Sequence, residues 1–272
     1  MDRIHSHFSR IAHRYEDLRT TDVEPVYYIK KELQNLNRIE GADVGCGVGR
    51  YVIKLFHHLG ERLHLMCIDY NRRMLKEVSR SLKRHKITKF KTINALAGAL
   101  PLTNSSLDAI VTFNAIHHFK LPDFLGEASR TLRDDGCLFI YTRLRSQNKR
   151  SIWGRFFPEF HEKERRLYEL SDLEGMVKSI HMLQLESIEY FKYRRRATLE
   201  WLTTQALHHH YSTFCLYDEI ELKEAFCEFQ ENIICHFKNF NNIIWDDENI
   251  MFKMRKSIQW TSCHINLTLY LV

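Results

Sequence analysis

Three glycines at alternate positions, in Ala42-Asp43-Val44-Gly45-Cys46-Gly47-Val48-Gly49-Arg50, stand between a predicted buried strand at 39–44 and a helical pattern at 51–59. A strand that turns abruptly into a helix while a ligand approaches its backbone needs residues without a Cβ, because a side chain would occupy the ligand's place. Gly45 and Gly47 meet that need. A pyrophosphate-binding turn of the G-x-G-x-x-G type asks for a glycine at position 50, where this chain has Arg50, so a dinucleotide on the helix N-terminus is not favoured. The acid before the glycines, Asp43, instead suits a cationic group such as the ammonium of an amino-acid moiety.

A second acid, Asp69, directly follows the apolar run 63–68 and so stands at the carboxyl edge of the next strand. Ligands of parallel sheets settle outside the carboxyl ends of the strands, where such an acid accepts hydrogen bonds from ribose hydroxyls. Either carboxylate alone reads equally well as a helix cap or a surface acid. On consecutive strands with the glycines between them, the two read together as a nucleoside site.

The surrounding elements alternate. Periodicity predicts helices over 25–36, 51–59, 72–83 and 122–132, and strands over 39–44, 63–68, 90–93, 107–113 and 137–141. This series predicts an α/β fold, a mostly parallel twisted sheet with helices on both faces. Only four prolines and ten glycines interrupt 272 residues, which agrees with long, closely connected elements. Ahead of them Ile4, Phe8, Ile11, Ala12 and Tyr15 form one stripe of a short amphipathic helix, expected to lie across the upper edge of the sheet.

Beyond Thr142 the character changes: Arg143, Arg145, Lys149, Arg150 and Arg155 follow with no acid among them, then mixed helices. The functional boundary is placed there, with a ligand-binding core and its N-terminal lid at 1–142 and a helical elaboration with final strands, selecting the substrate, at 143–272. In this second part 185–190 and 249–254 are candidate strands, and 199–208 and 220–237 candidate helices. The alternating tail Ile265, Leu267, Leu269, Leu271 could form a hairpin with the strand before it.

Several classes are disfavoured. No apolar stretch nears the ~20 residues that span a bilayer, and the opening Met1-Asp2-Arg3-Ile4-His5 lacks a signal-peptide core, so a soluble, cytoplasmic protein is expected. Seven cysteines without a C-x-x-C pair suggest neither a disulfide framework nor a zinc module. His208-His209-His210 are adjacent on a helical pattern and point in different directions, so no metal site is expected from them. A net charge of +6 is mild for this length, and the local arginine clusters matter more than the total.

The glycine loop and Asp69 resemble motif I and the following acidic motif of the class I S-adenosylmethionine-dependent methyltransferases. Leu100-Pro101-Leu102, Ser106-Leu107-Asp108-Ala109-Ile110-Val111, Asn114-Ala115-Ile116-His117-His118-Phe119 and Leu132-Arg133-Asp134-Asp135-Gly136 resemble the family's later motifs in order and spacing. Phe8-Ser9-Arg10-Ile11-Ala12-His13-Arg14-Tyr15 resembles the lid of its quinone-biosynthetic and tRNA wobble-uridine members. The likeness covers residues 5–142. It implies a Rossmann-like fold and S-adenosylmethionine as cofactor, with Gly45 and Gly47 near the methionyl part, Asp69 on the ribose, Tyr70 beside adenine and Asn114 near the sulfonium. The expected cofactor-facing set is Tyr15, Asp43, Gly45, Cys46, Gly47, Asp69, Tyr70, Ala97 and Asn114. One departure stands out: where the family often carries an acid that meets the adenine amino group, this chain has Leu96-Ala97-Gly98-Ala99, leaving adenine to backbone groups and apolar packing.

Methyl transfer from a sulfonium requires alignment more than a particular catalytic residue. If the acceptor must lose a proton, His117, His118 and Tyr141 are the candidates near the strand ends. Cys46 is read as a small filler of the loop, since nothing near it in sequence activates a thiolate. The basic segment with Trp153, Phe156 and Phe157, extended by Lys192, Arg194, Arg195 and Arg196, is open to three readings: a solvated face, an RNA surface, or an aromatic pocket whose arginines hold an anionic group. A small or lipid-like acceptor is the leading expectation. An RNA methyltransferase, or a cofactor-binding protein without turnover, are the alternatives.

Overall fold

The computed structural model describes residues 3–12 and 20–257. Seven strands, β1 (Ile39–Val44), β2 (Leu63–Asp69), β3 (Phe90–Asn94), β4 (Leu107–Phe113), β5 (Leu132–Thr142), β6 (Leu183–Ala197) and β7 (Ile243–Lys256), form one sheet in the order β3-β2-β1-β4-β5-β7-β6. The first five pair in parallel; β7 runs antiparallel between β5 and β6. The order reverses direction between β1 and β4, which opens a crevice at the carboxyl ends of these strands.

Alternation along the strands sends side chains to two separate cores. Ala109, Val111, Phe113, Cys137, Phe139 and Tyr141 meet the helices α2 (Glu24–Glu32), α3 (Arg50–Leu59) and α4 (Arg72–Arg84) on one face. Ile110, Leu138 and Ile140 meet α5 (Leu121–Thr131) and α9 (Leu170–Lys178) on the other. The start of α4 shows why a helix begins there: the Asn71 side chain accepts from the backbone N–H groups of Arg73 at 2.9 Å and Met74 at 3.3 Å.

A third core belongs to the second half alone. Trp153, Phe157, Phe160, Leu202, Phe214 and Phe229 pack together beneath α6 (Arg145–Arg150), α7 (Ile152–Phe156), α8 (Phe160–Lys163), α10 (Leu199–Leu207) and α11 (Glu219–His236). The lid helix α1 (Arg3–Ile11) rests on α4 and on the 3-10 turn Ser212–Leu216.

The expected boundary at 142/143 does not divide the sheet, because β7 hydrogen-bonds to β5 from Cys137↔Arg255 to Thr142↔Ile250. Strands β6 and β7 are much longer than the patches 185–190 and 249–254 suggested. In β6 the exposed Lys192, Arg194 and Arg196 alternate with half-buried Phe191, Tyr193 and Arg195, so what reads as a charge cluster is a strand with one wet face. The tail 258–272 lies outside the described residues, and Ile250–Met254 of its expected hairpin partner is paired on both edges, by β5 and by β6. No helix of the described residues is long and apolar enough to cross a membrane.

Candidate active site

A cavity of about 280 Å³ opens over the carboxyl ends of β1, β2 and β4. The turn from β1 into α3 forms its floor. Gly45 and Cys46 donate their N–H groups to the Ile68 carbonyl at 2.8 and 3.1 Å, which ties the turn to the end of β2. Asp69 completes the tie: its Oδ2 accepts from Gly47 N–H at 2.9 Å and its Oδ1 from Asn71 N–H at 2.8 Å. Asp69 borders the cavity, as do Asp43, Gly45, Cys46 and Gly47.

The two glycines serve different ends. At Gly45 (φ +76°) a Cβ would lie 2.6 Å from the Ala115 Cβ and 2.9 Å from the Phe119 ring, so the protein itself fills that side. At Gly47 (φ +54°) a Cβ would meet no described atom within 4 Å. Only Gly47 keeps open space at the cavity, which narrows the expectation that both clear the ligand's path.

Asp43 is 1% exposed, and its Oδ1 has no hydrogen-bond partner among the described residues. Burial, and then repulsion from Asp69, push its carboxyl well above the usual carboxylate range. A buried acid bordering a cavity and lacking a partner fits a cationic ligand group, and with Asp69 and the gap at Gly47 the wall fits an amino-acid nucleoside. Because the folded form binds the proton more tightly than the unfolded chain, Asp43 favours folding below the unfolded pKa of about 3.9 and loses that contribution as pH rises through the folded value. Asp43→Asn is therefore expected to raise the melting temperature of the ligand-free protein at neutral pH by ~2–8 °C, from ~1–3 kcal/mol of relieved desolvation. The gain should vanish near pH 4, and a thermal melt series across pH checks both ends.

Asn114 sits at the β4 end with φ +52°, a conformation costly for most side chains but tolerated by asparagine. It is held from two sides, its N–H donating to the Tyr141 carbonyl at 2.7 Å and its Oδ1 accepting from Asn249 Nδ2 at 3.1 Å. Arg50, in place of the third glycine, donates to Thr20 O and Thr21 Oγ1, both at 2.8 Å, fastening the loop before α2 beside the cavity. Tyr51 stacks on Phe113 with centroids 4.0 Å apart. Tyr70 is exposed at the rim.

His117 and His118 lie on the 3-10 turn Ile116–His118, their ring centroids 4.0 Å apart, and both line the cavity. Phe8 of the lid meets His118 edge-on at 5.2 Å. Tyr141 is a correction: it is 1% exposed within the first core, its hydroxyl 3.3 Å from that of Tyr193, and it is not on the cavity wall. Burial drives its phenol far above its ordinary range, so it is no proton acceptor there. Ala97 is a second correction, packed against the α5-side core and off the wall. Tyr15 lies outside the described residues. The Cys46 thiol is pushed well above its usual value by burial and then by Cys67, which suits a filler.

The far end of the cavity joins Trp153, which the sequence offered for an aromatic pocket, to polar residues that the sequence pattern did not single out. Asn148 is 4% exposed, and its Nδ2 has no hydrogen-bond partner among the described residues. Glu164, 3% exposed, accepts from Thr213 Oγ1 at 2.6 Å and from Arg166 Nε at 2.8 Å. Trp153 stacks on Phe229 with centroids 5.1 Å apart. The arginines noticed in the sequence are largely consumed inside the molecule: Arg143 pairs with Asp247 at 2.6 Å, Arg195 with Asp22 at 2.7 Å, and Arg150 with Glu248 through Nε at 3.0 Å. Lys192 and Arg194 share Asp246 at 3.1 and 3.3 Å. Arg196 remains exposed at the rim, which Trp201 and Trp245 also line.

Residues 42–136 match the sequence model of a methyltransferase domain. No curated protein matches the chain significantly in sequence. In fold it is similar to the YcgJ protein of Bacillus subtilis, with TM-score 0.64 and 14% identity over 87% of this chain and 99% of that one. It is also similar to a candidate methyltransferase of Bacillus halodurans, with TM-score 0.63 and 17% identity over 88% and 100%. Geranyl diphosphate C-methyltransferase of Streptomyces coelicolor, solved with Mg2+, geranyl diphosphate and S-adenosyl-L-homocysteine, gives TM-score 0.53 and 13% identity over 85% and 77%.

Proposed function

We propose that the chain is a class I methyltransferase that uses S-adenosylmethionine, a reading supported by the match of residues 42–136 to a methyltransferase domain and by the wall of Asp43, Gly47 and Asp69, and that its acceptor is a small or lipid-like molecule held in the far end of the same cavity. The observation that carries this reading is the burial of that end. Asn148, Glu164, Thr213 and His210 line the cavity and are each no more than 4% exposed. A chamber walled this way suits a compact ligand with one or two polar groups. A nucleic acid needs an open basic track, whereas Arg195, Arg143 and Arg150 are paired with Asp22, Asp247 and Glu248.

When bound, S-adenosylmethionine supplies an electrophilic methyl group on a sulfonium. The chain's share is alignment and exclusion of water. Asp43 faces the ammonium and Asp69 the ribose hydroxyls, while Asn114, fixed by Asn249, stands at the sulfonium end. Asn148 Nδ2 donates to the acceptor and Glu164 accepts from it, and Trp153 covers its apolar part. His117 or His118 takes up a proton where the acceptor carries one. At the rim, Arg196 with Trp201 and Trp245 would hold an anionic or aromatic extension.

Incubating the protein with methyl-labelled cofactor and a fractionated cell extract tests the assignment. Label is expected in the small-molecule or lipid fraction. Label in RNA would overturn the acceptor class, and cofactor binding by calorimetry with no label transferred to any fraction would favour a protein without turnover.

A further inference from the structure

Outside the cavity just described, the fold gathers three donors from distant parts of the chain. One ligand atom each of His7, His209 and Cys215 lies within 4.8 Å of the other two, and Cys215 Sγ is 3.7 Å from His209 Nδ1. Zinc bound tetrahedrally takes sulfur at about 2.3 Å and nitrogen at about 2.0 Å, which sets its S and N donors roughly 3.5 Å apart. Cys215 and His209 already stand near that spacing, and the widest pair would close by at most about 1.5 Å.

The local backbone explains the gathering. His208 and His210 use their Nδ1 atoms on the carbonyls of Thr204 at 2.8 Å and Gln205 at 3.0 Å, both belonging to α10. His209 between them adopts φ +49°, a left-handed conformation uncommon outside glycine, and its Nδ1 meets Cys215 rather than an α10 carbonyl, with its ring centroid 6.3 Å from that of His7. The objection that three adjacent histidines cannot converge on one ion therefore holds for His208 and His210 and not for His209. Burial lowers the His209 pKa, keeping its ring neutral as a ligand requires. Burial also raises the Cys215 thiol, so metal binding has to displace its proton, with Arg10 close enough to favour the thiolate it leaves.

We propose that His7, His209 and Cys215 form a binding site for one zinc-type divalent ion, completed by a water, which fastens the lid helix α1 to the helical second half. His7 adjoins Phe8, the lid residue that lines the cavity, so occupancy of this site would hold the lid in place over the active site. This inference does not rest on the choice of acceptor.

Cobalt(II), a spectroscopic stand-in for zinc, tests it when titrated into the metal-free full chain. The expected result is one equivalent bound, a thiolate-to-cobalt charge-transfer band with tetrahedral ligand-field bands, and displacement by zinc. Cys215→Ser should lose the charge-transfer band, and His209→Ala should weaken binding at least tenfold. A second measurement needs no variant: zinc should slow alkylation of Cys215 in the native protein while leaving the exposed Cys227 unchanged. Cobalt bound without a thiolate band, no binding, or equal alkylation of Cys215 with and without zinc would each overturn the proposal.

Discussion

Asp69→Ala is expected to weaken binding of S-adenosylmethionine by about 100-fold. A carboxylate that receives two hydrogen bonds from one sugar contributes roughly 1.5 kcal/mol or more per bond, and about 2.8 kcal/mol corresponds to two decades in Kd. Asp69 is also structural, since it accepts from Gly47 and Asn71, so alanine would remove the ligand partner proposed above and loosen the loop together. Asp69→Asn separates the two effects: its amide oxygen can still accept from one of these N–H groups, and its loss of affinity should be smaller than alanine's. Its neutral side chain should also relieve the repulsion that helps to raise the Asp43 carboxyl. Calorimetry on both variants, with thermal melts as folding controls, decides the matter. A folded Asp69→Ala protein that binds within threefold of the parent would remove Asp69 from the nucleoside site.

The order in which the fold was legible follows the physics of each segment. Strands β1, β2 and β4 are largely buried on both faces; β1 and β4 are expected at the residues where they occur, and β2 within one residue. The loop and Asp69 were legible because a strand end, a glycine turn and an acid constrain one another locally. Strand β6 was legible only in part, since an edge strand with one wet face carries charges that hide its period. Of the acceptor end only Trp153 was legible, as one member of a possible aromatic pocket. Glu164 lies in the charged run Glu162-Lys163-Glu164-Arg165-Arg166, which has the composition of a solvated surface, and only the contacts with Thr213 and Arg166 show it turned inward. Arg143 misled for the converse reason: its partner Asp247 stands more than a hundred residues away, and no local pattern announces a long-range ion pair.

Alanine at Gly45 and at Gly47 should divide stability from binding, although the two positions look equivalent in the sequence. Both have positive φ, which costs a residue with a Cβ ~1 kcal/mol or more. At Gly45 the new methyl also drives into Ala115 and Phe119 at 2.6 and 2.9 Å, and overpacking of this kind adds ~1–3 kcal/mol. The sum, ~2–5 kcal/mol, is a large share of the ~5–15 kcal/mol that holds a domain folded, so Gly45→Ala should lower the melting temperature by ~10 °C. At Gly47 only the backbone cost applies, a fall of ~2–4 °C, because the methyl meets no described atom within 4 Å. What that methyl enters is the space beside the Asp69-bound turn, and cofactor affinity should drop at least tenfold in a protein that melts nearly normally. The two variants, measured side by side by calorimetry and thermal melting, should therefore fail in different assays. If Gly47→Ala binds the cofactor as tightly as the parent, the cofactor does not lie against this loop, and the nucleoside must be sought elsewhere in the cavity.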